Sequence, residues 1–309
     1  MAIIRGGNAE YESSQPGLEE KKARLLEIIH EQLKQNGKLL KLSGQYISTD
    51  ELSVITQSER VCGVESLDLS DNQIAAPALR ILFESDRLGN LRELNLGINF
   101  ITDEGIRDIA ALQQPGIKRL QVLTLNDNRL TDDAISELAA SANFKTLTSL
   151  NLDYNKVGNG AVAALSRGLL KLKIFSMERG YLDDAGVADL VQWPGLAGME
   201  ELTLSSNKIT DAGIELLAAA ETVRGLKRLR LDNNLFGDPG AKALAQSTTL
   251  AGLTELRVAR NRFGPEGAKA LSESKTLTNL KTLILSEGAR NSPNLVNYSN
   301  PDMLAPREH

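Results

Sequence analysis

The chain of 309 residues is poor in the side chains that most enzymes use for catalysis, with one cysteine and two histidines. The histidines, His30 and His309, stand near opposite ends of the chain. The sequence offers no serine–histidine–aspartate set, no cysteine–histidine pair with zinc-ligand spacing and no phosphate-binding glycine loop. It therefore predicts a protein that is not an enzyme and that has no catalytic residues, metal site or cofactor.

The single cysteine, Cys62, excludes an intramolecular disulfide and indicates a reducing compartment. No apolar run approaches the roughly 18 residues of a membrane helix, and the N-terminus lacks the apolar stretch of a secretory signal. We therefore predict a protein that is cytoplasmic or exported without a Sec-type signal peptide, with no membrane partner. The net charge of −5 predicts no nucleic-acid partner.

What the chain does contain is a recurring phrase, L-x-x-L-x-L-x-x-N followed after one residue by an apolar side chain. The starts lie mostly 27 residues apart, a period typical of stacked supersecondary units. Seven clear copies start at Val64, Leu91, Leu120, Leu147, Met199, Leu226 and Leu253. Three weaker copies start at Gly37, Leu172 and Leu280, so ten units cover residues 37–290.

Each copy predicts a short strand followed by a helix. Apolar side chains alternate with polar ones across the strand, and the leucines face the core. Twelve residues after the start is a residue type preferred at helix N-caps: Asp103, Asp132, Asn159, Asp184, Asp211 or Asp238. Two residues later stands a glycine or alanine, such as Gly213, which predicts close packing of the helix on the sheet. Aliphatic residues three apart then mark the buried helix face.

The pattern resembles the leucine-rich repeat, in its ribonuclease-inhibitor-like class, and shares features with bacterial members. The resemblance implies an α/β leucine-rich repeat solenoid, or horseshoe, of about ten repeats, with parallel strands on the concave face and helices on the convex face. It also implies a structural ladder of stacked asparagines, namely Asn72, Asn99, Asn128, Asn155, Asn207, Asn234 and Asn261. Gly180 interrupts this column, either as a degenerate repeat or as a functional break.

Three segments flank the repeat domain of residues 37–290. We predict a disordered N-terminal tail at 1–17, an N-terminal capping helix at 18–36 and a C-terminal cap or tail at 291–309. The helix has an apolar stripe that includes Leu25 and Ile29. This stripe favours a cap over the open end of the first repeat, and the alternative is a helix that binds a partner.

Alternation along the strands also predicts which side chains line the concave face. Charge is segregated there, with acidic residues early and arginines late. Arg230 and Arg257 occupy adjacent positions in one column, which favours an anionic partner; the alternative is local neutralisation by carboxylates of the neighbouring column. Tyrosine and arginine are enriched at binding hot spots. The predicted partner-binding residues are Asp127, Asp153, Tyr154, Glu178, Arg179, Arg228, Arg230, Arg257 and Arg260.

The resemblance therefore implies a non-enzymatic, monomeric scaffold that binds another protein on its concave face, in the setting of a bacterial effector or a cytoplasmic scaffold. The alternative is a regulator of an enzyme, of the inhibitor or GTPase-activating type, acting through the same face. Fold alone names no partner.

Overall fold

A computed structural model describes residues 18–285 and the pair Asn297–Tyr298. The predicted tail at 1–17 lies outside the described residues, as do 286–290 and all of the predicted segment 291–309 except that pair. Helix α1 spans Leu18–Gln35, within one residue of the predicted capping helix.

The strands are three residues long, and each begins at the third residue of a repeat. They are β1 Leu39–Lys41, β2 Ser66–Asp68, β3 Glu93–Asn95, β4 Val122–Thr124, β5 Ser149–Asn151, β6 Ile174–Ser176, β7 Glu201–Thr203, β8 Arg228–Arg230, β9 Glu255–Arg257 and β10 Thr282–Ile284. They form one parallel sheet in chain order, and β11, Asn297–Tyr298, pairs antiparallel with β10. The central residue of each strand is buried and its neighbours face the other side, as the alternation predicts.

A helix follows each of the first nine strands and packs behind the sheet. These helices are α2 Thr49–Gln57, α3 Ala76–Glu84, α4 Asp103–Ala110, α5 Asp132–Ala140, α6 Asn159–Arg167, α7 Asp184–Gln192, α8 Asp211–Ala219, α9 Asp238–Gln246 and α10 Pro265–Ser272. Each buries the face that carries the aliphatic pair, such as Ile214 and Leu217 in α8. The predicted α/β solenoid, with strands on one face and helices on the other, is confirmed.

The predicted N-cap residues were placed one position too late in the sequence. Asp103, Asp132, Asn159, Asp184, Asp211 and Asp238 are the first residues of their helices, and the N-caps are the residues before them. Their side chains serve the neighbouring repeat instead. Asp211, for example, accepts hydrogen bonds from the backbone N–H groups of Gly237 at 2.7 Å and Gly240 at 2.8 Å. Each of these aspartates therefore binds the helix start of the repeat that follows, where free N–H groups would otherwise be unpaired.

The small residue in the first helical turn is explained by the same aspartates of the preceding repeat. We expected it to allow close packing on the sheet, but at Gly186, Gly213, Gly240 and Gly267 the atom nearest to an added Cβ belongs to the preceding repeat. At Gly267 an added Cβ would lie 2.7 Å from the Asp238 carboxylate, which accepts the Gly267 N–H at 2.8 Å. The glycine leaves room for the carboxylate of the preceding helix rather than for the sheet.

The repeat asparagines join successive turns. Asn128 donates through Nδ2 to the carbonyls of Leu96 at 3.0 Å and Leu125 at 3.1 Å, and its Oδ1 accepts the N–H of Ile101 at 3.0 Å. One buried amide thus pairs backbone groups of two repeats. Gly180 supplies no amide, and a Cβ at this position would lie 2.8 Å from the carbonyl oxygen of Val157.

Helix α1 covers the open edge of β1. Leu25 and Ile29 are buried against the first repeat. The side-chain amide of Gln32 donates to the carbonyl of Lys41 at 2.7 Å and accepts its N–H at 2.8 Å. Gln32 therefore pairs with the edge strand much as a neighbouring strand would.

Candidate functional site

The parallel register of the strands places equivalent side chains of successive repeats next to each other on the concave face. In that register Ser176 lies beside Thr203, Thr203 beside Arg230, and Arg230 beside Arg257. A depression of about 500 Å³ runs across β5 to β9. Its lining is polar and charged: Asn151, Asp153, Ile174, Ser176, Glu178, Glu201, Thr203, Ser205, Ser206, Arg230, Asp232, Asn233, Arg257 and Arg260.

The residue before each ladder position adopts left-handed backbone geometry. Its φ is 50° at Asp127, 59° at Tyr154, 53° at Arg179 and 58° at Arg260. Positive φ is uncommon outside glycine, asparagine and aspartate, yet here it recurs at one repeat position, including Arg179, which precedes Gly180 rather than a ladder asparagine. The turn aims these side chains at the rim of the concave face. The aspartates and asparagine at this position, Asp71, Asp127 and Asn233, are the sequence signal for it.

Tyr154 lies at one end of the depression with 44% of its surface exposed. Its hydroxyl donates to Oε1 of Glu178 at 3.3 Å, and the Arg179 guanidinium lies 5.4 Å from the ring centroid. The negative charge of Glu178 is the main cause that raises the pKa of Tyr154. The aromatic ring, a cation and a carboxylate thus form one exposed cluster.

Glu178 is half-buried behind this ring. Burial, followed by the nearby Asp153 and Asp232 charges, raises the pKa of the Glu178 carboxyl. Asp153 is held in place because its Oδ1 accepts the Ser176 hydroxyl at 2.6 Å and the Glu178 N–H at 2.7 Å. The centre of the depression is therefore acidic and partly desolvated.

The arginines at the other end form ion pairs within the protein. Arg228 pairs with Glu201, Arg230 Nε lies 2.9 Å from Glu255 Oε1, and Arg257 Nε lies 2.9 Å from Asp232 Oδ2. Arg230 and Arg257 are neighbours in one column, yet each has a carboxylate from an adjacent repeat beside it. This geometry corresponds to local neutralisation, and an anionic partner would have to compete with these carboxylates.

Sequence comparison places the repeats in a known family. The family model described as leucine-rich repeat matches residues 90–110, 145–166, 199–218, 226–245 and 253–272. These matches fall on the units whose strands, helices and asparagine bonds are described above. The chain is a leucine-rich repeat protein.

This leucine-rich repeat protein also resembles solved structures. A crystal structure of an internalin from Listeria monocytogenes is 20% identical, with 93% of this chain and 92% of that chain covered and a TM-score of 0.45. No curated protein matches the sequence. Leucine-rich repeats are typical of protein–protein interaction scaffolds and are generally not enzymes.

Within the leucine-rich repeat domain the structure separates the predicted site residues into groups. Asp153, Glu178, Arg230, Arg257 and Arg260 line the depression. Tyr154 and Arg179 form the cluster at its rim, whereas Asp127 and Arg228 do not line it.

The predicted partner-binding residues omit nine residues of this lining, namely Asn151, Ile174, Ser176, Glu201, Thr203, Ser205, Ser206, Asp232 and Asn233. Ile174 and Ser206 line the depression at the same repeat positions as predicted residues of other repeats, so their column could have identified them.

Two further observations bear on what this surface can bind. Among residues 18–285, no group of three or more histidine, cysteine, aspartate or glutamate side chains is arranged to hold a metal ion. No helix in that range is long and apolar enough to cross a membrane.

Proposed function

We propose that the protein is a binding module that holds a protein partner on the concave depression between β5 and β9. The observation that carries this proposal is the cluster of Tyr154, Glu178 and Arg179 at the rim of that depression. A half-exposed tyrosine next to a half-buried carboxylate and a cation combines apolar area with directional polar groups, the composition typical of binding hot spots.

The arginine end contributes specificity rather than net charge. Arg230 and Arg257 already form ion pairs with Glu255 and Asp232. A partner therefore gains binding energy there only if it places opposite charges against both the arginines and the carboxylates. A surface of alternating charges at fixed register rejects partners that place like charges opposite each other. The partner therefore presents a mixed polar surface to β8 and β9 and an anchor group to Tyr154.

Site-specific photo-cross-linking in cells tests this proposal. A photo-reactive amino acid at Tyr154 or Arg260 should give a discrete protein adduct, and the same probe at Lys242 or Lys269 on the helices should not. A charge swap, Arg230→Glu with Glu255→Arg, keeps an internal ion pair but inverts the pattern, and should remove the adduct at unchanged thermal stability. Adducts formed only from the helical positions would place the partner on the convex face.

We further propose that the protein belongs to the ribonuclease-inhibitor-like class, acts as a monomer and works either in the bacterial cytoplasm or as an effector exported without a Sec-type signal. An α-helix of eight or nine residues in each repeat from β1 to β9 supports the class. A secretion assay in a strain lacking Sec-independent export separates the two settings, and sedimentation analysis tests the monomer.

A further inference from the structure

A second column of side chains runs along the edge of the solenoid, where the chain leaves each ladder asparagine for the next helix. The backbone N–H groups of Phe100, Arg129, Lys156, Tyr181 and Lys208 each donate to a carbonyl of the preceding repeat at 2.8–3.0 Å. The residue after each of them is buried, as Ile101, Leu130, Val157, Leu182 and Ile209. These five side chains, here called the edge column, therefore point outward side by side.

The edge column contains two aromatic rings and three cations, in the order ring, cation, cation, ring, cation. Phe100 is 45% exposed and Tyr181 is 55% exposed. The Arg129 guanidinium lies 5.0 Å from the Phe100 ring centroid, and Lys208 Nζ lies 5.4 Å from that of Tyr181. Each ring is therefore held by the cation of the next repeat and keeps exposed apolar area.

The cations of this column differ from the concave arginines in their pairing. Within residues 18–285, neither Arg129, Lys156 nor Lys208 forms an ion pair, and all three are exposed. The Asn159 hydrogen bond and, to a smaller extent, the charge of Lys208 lower the pKa of Asp183. This carboxylate accepts the Asn159 amide at 2.7 Å and caps its own helix. The positive potential that is available to a ligand thus lies along the edge and not among the ion-paired arginines.

The spacing of the column fits an extended peptide that crosses the repeats. Hydrogen-bonded neighbouring strands lie about 4.8 Å apart, so Phe100 and Tyr181, three repeats apart, are about 14 Å from each other. Residues i and i+4 of an extended chain share a face and are roughly 13 Å apart. Residue i+2 then falls between Arg129 and Lys156, and residue i+6 falls beside Lys208.

We propose that the edge column binds an extended acidic peptide with bulky apolar side chains at i and i+4 and carboxylates at i+2 and i+6. A single-stranded nucleic acid fits less well, because its stacked bases are about 3.4 Å apart and the two rings are several times farther apart. This surface is separate from the concave site.

Fluorescence anisotropy with the full chain tests the proposal directly. The probe is a labelled heptapeptide, Phe-Ser-Glu-Ser-Phe-Ser-Glu, with a permuted peptide in which the two phenylalanines are adjacent and a ten-residue oligothymidylate as comparisons. The expected result is binding of the first peptide at least tenfold tighter than of either comparison. Equal binding of the two peptides, tighter binding of the oligonucleotide or no binding of any probe overturns the proposal.

Matched variants locate the surface. Lys156→Glu and Tyr181→Ser should each weaken binding of the heptapeptide about tenfold. Arg262→Glu changes an exposed cation of the same backbone column two repeats beyond Lys208, and should change binding less than twofold. A loss with Arg262→Glu equal to that with Lys156→Glu, or a loss with the concave charge swap alone, contradicts the edge column as the binding surface.

Discussion

The carboxylate of Asp184 in α7 accepts the backbone N–H of Gly213 in α8 at 3.1 Å, and an added Cβ on Gly213 would collide with the same oxygen. The two residues are 29 positions apart in sequence but adjacent in the stack. The same relationship recurs between Asp211 and Gly240 and between Asp238 and Gly267. From α7 to α10, the helices of neighbouring repeats are therefore joined by an aspartate that needs a glycine opposite it.

This relationship predicts that Gly213→Ala destabilises the protein by about 1–3 kcal/mol through overpacking. Helix propensity alone predicts the opposite sign, a gain of about 1 kcal/mol. Besides the carboxylate, the new methyl group would lie 2.8 Å from Ile209 Cγ2. Chemical denaturation measures the change in unfolding free energy.

The matched control is Ala134→Gly at the equivalent position of α5. It should cost about 1 kcal/mol, as propensity predicts. In the double variant Gly213→Ala with Asp184→Ala, the change in unfolding free energy should differ from the sum of the two single changes by at least about 0.5 kcal/mol. Additive effects of the two changes would mean that the carboxylate does not set the size of residue 213.

Asn128→Ala removes an amide that bonds backbone groups of two repeats. The loss should lower the free energy of unfolding by about 1–3 kcal/mol, because buried carbonyl and N–H groups are left without partners. Asn90→Ala is the control, since Asn90 is exposed and donates to a single carbonyl, that of Cys62. Equal costs for the two changes would show that the ladder position has no special structural role.

Gln32→Ala leaves the edge of β1 unpaired at Lys41. The expected cost is about 1–2 kcal/mol, together with a greater tendency to associate through the exposed strand edge. Denaturation and sedimentation velocity check the two effects. Gln35→Ala, one turn later on the exposed side of α1, should change neither. An unaltered protein after Gln32→Ala would argue for α1 as a partner-binding helix rather than a cap.

The raised pKa of Glu178 predicts how the stability of the fold depends on pH. The sign of this dependence is the reverse of that expected for an ion-paired carboxylate. Because burial and then Asp153 raise its pKa above the ordinary 4.5, the folded protein retains this proton to a higher pH than the unfolded chain does. Its contribution to stability is therefore lost as pH rises from 4.5 through the folded value, and it opposes folding at neutral pH.

Glu178→Gln should accordingly stabilise the protein at pH 7, by less than about 1 kcal/mol since the side chain is partly screened by water. Glutamine keeps an oxygen that can accept the Tyr154 hydroxyl. Urea unfolding at a series of pH values from 4 to 7 would show the gain growing with pH. Glu93→Gln on the same face is the control, and an equal gain there would assign the effect to net charge.

The repeat positions of this protein follow from its sequence alone. A period of mostly 27 residues with alternating leucines specifies parallel strands in register, because each unit can bury its apolar face only against a neighbour. The strand column containing Arg230 and Arg257 follows from the same alternation, whereas the direction of Tyr154 is set by the left-handed turn that follows β5.

Contacts between repeats were decided only by the tertiary structure. Whether Arg230 faces solvent or pairs with Glu255 depends on the lateral offset of adjacent strands and on side-chain conformation, neither of which a one-dimensional period contains. The same is true of the aspartates, which the sequence predicts as caps of their own helices and which bond to the helix of the next repeat. Sequence spacing determines which residues are neighbours, but the direction of each long side chain is set by the hydrogen bonds available after the repeats stack.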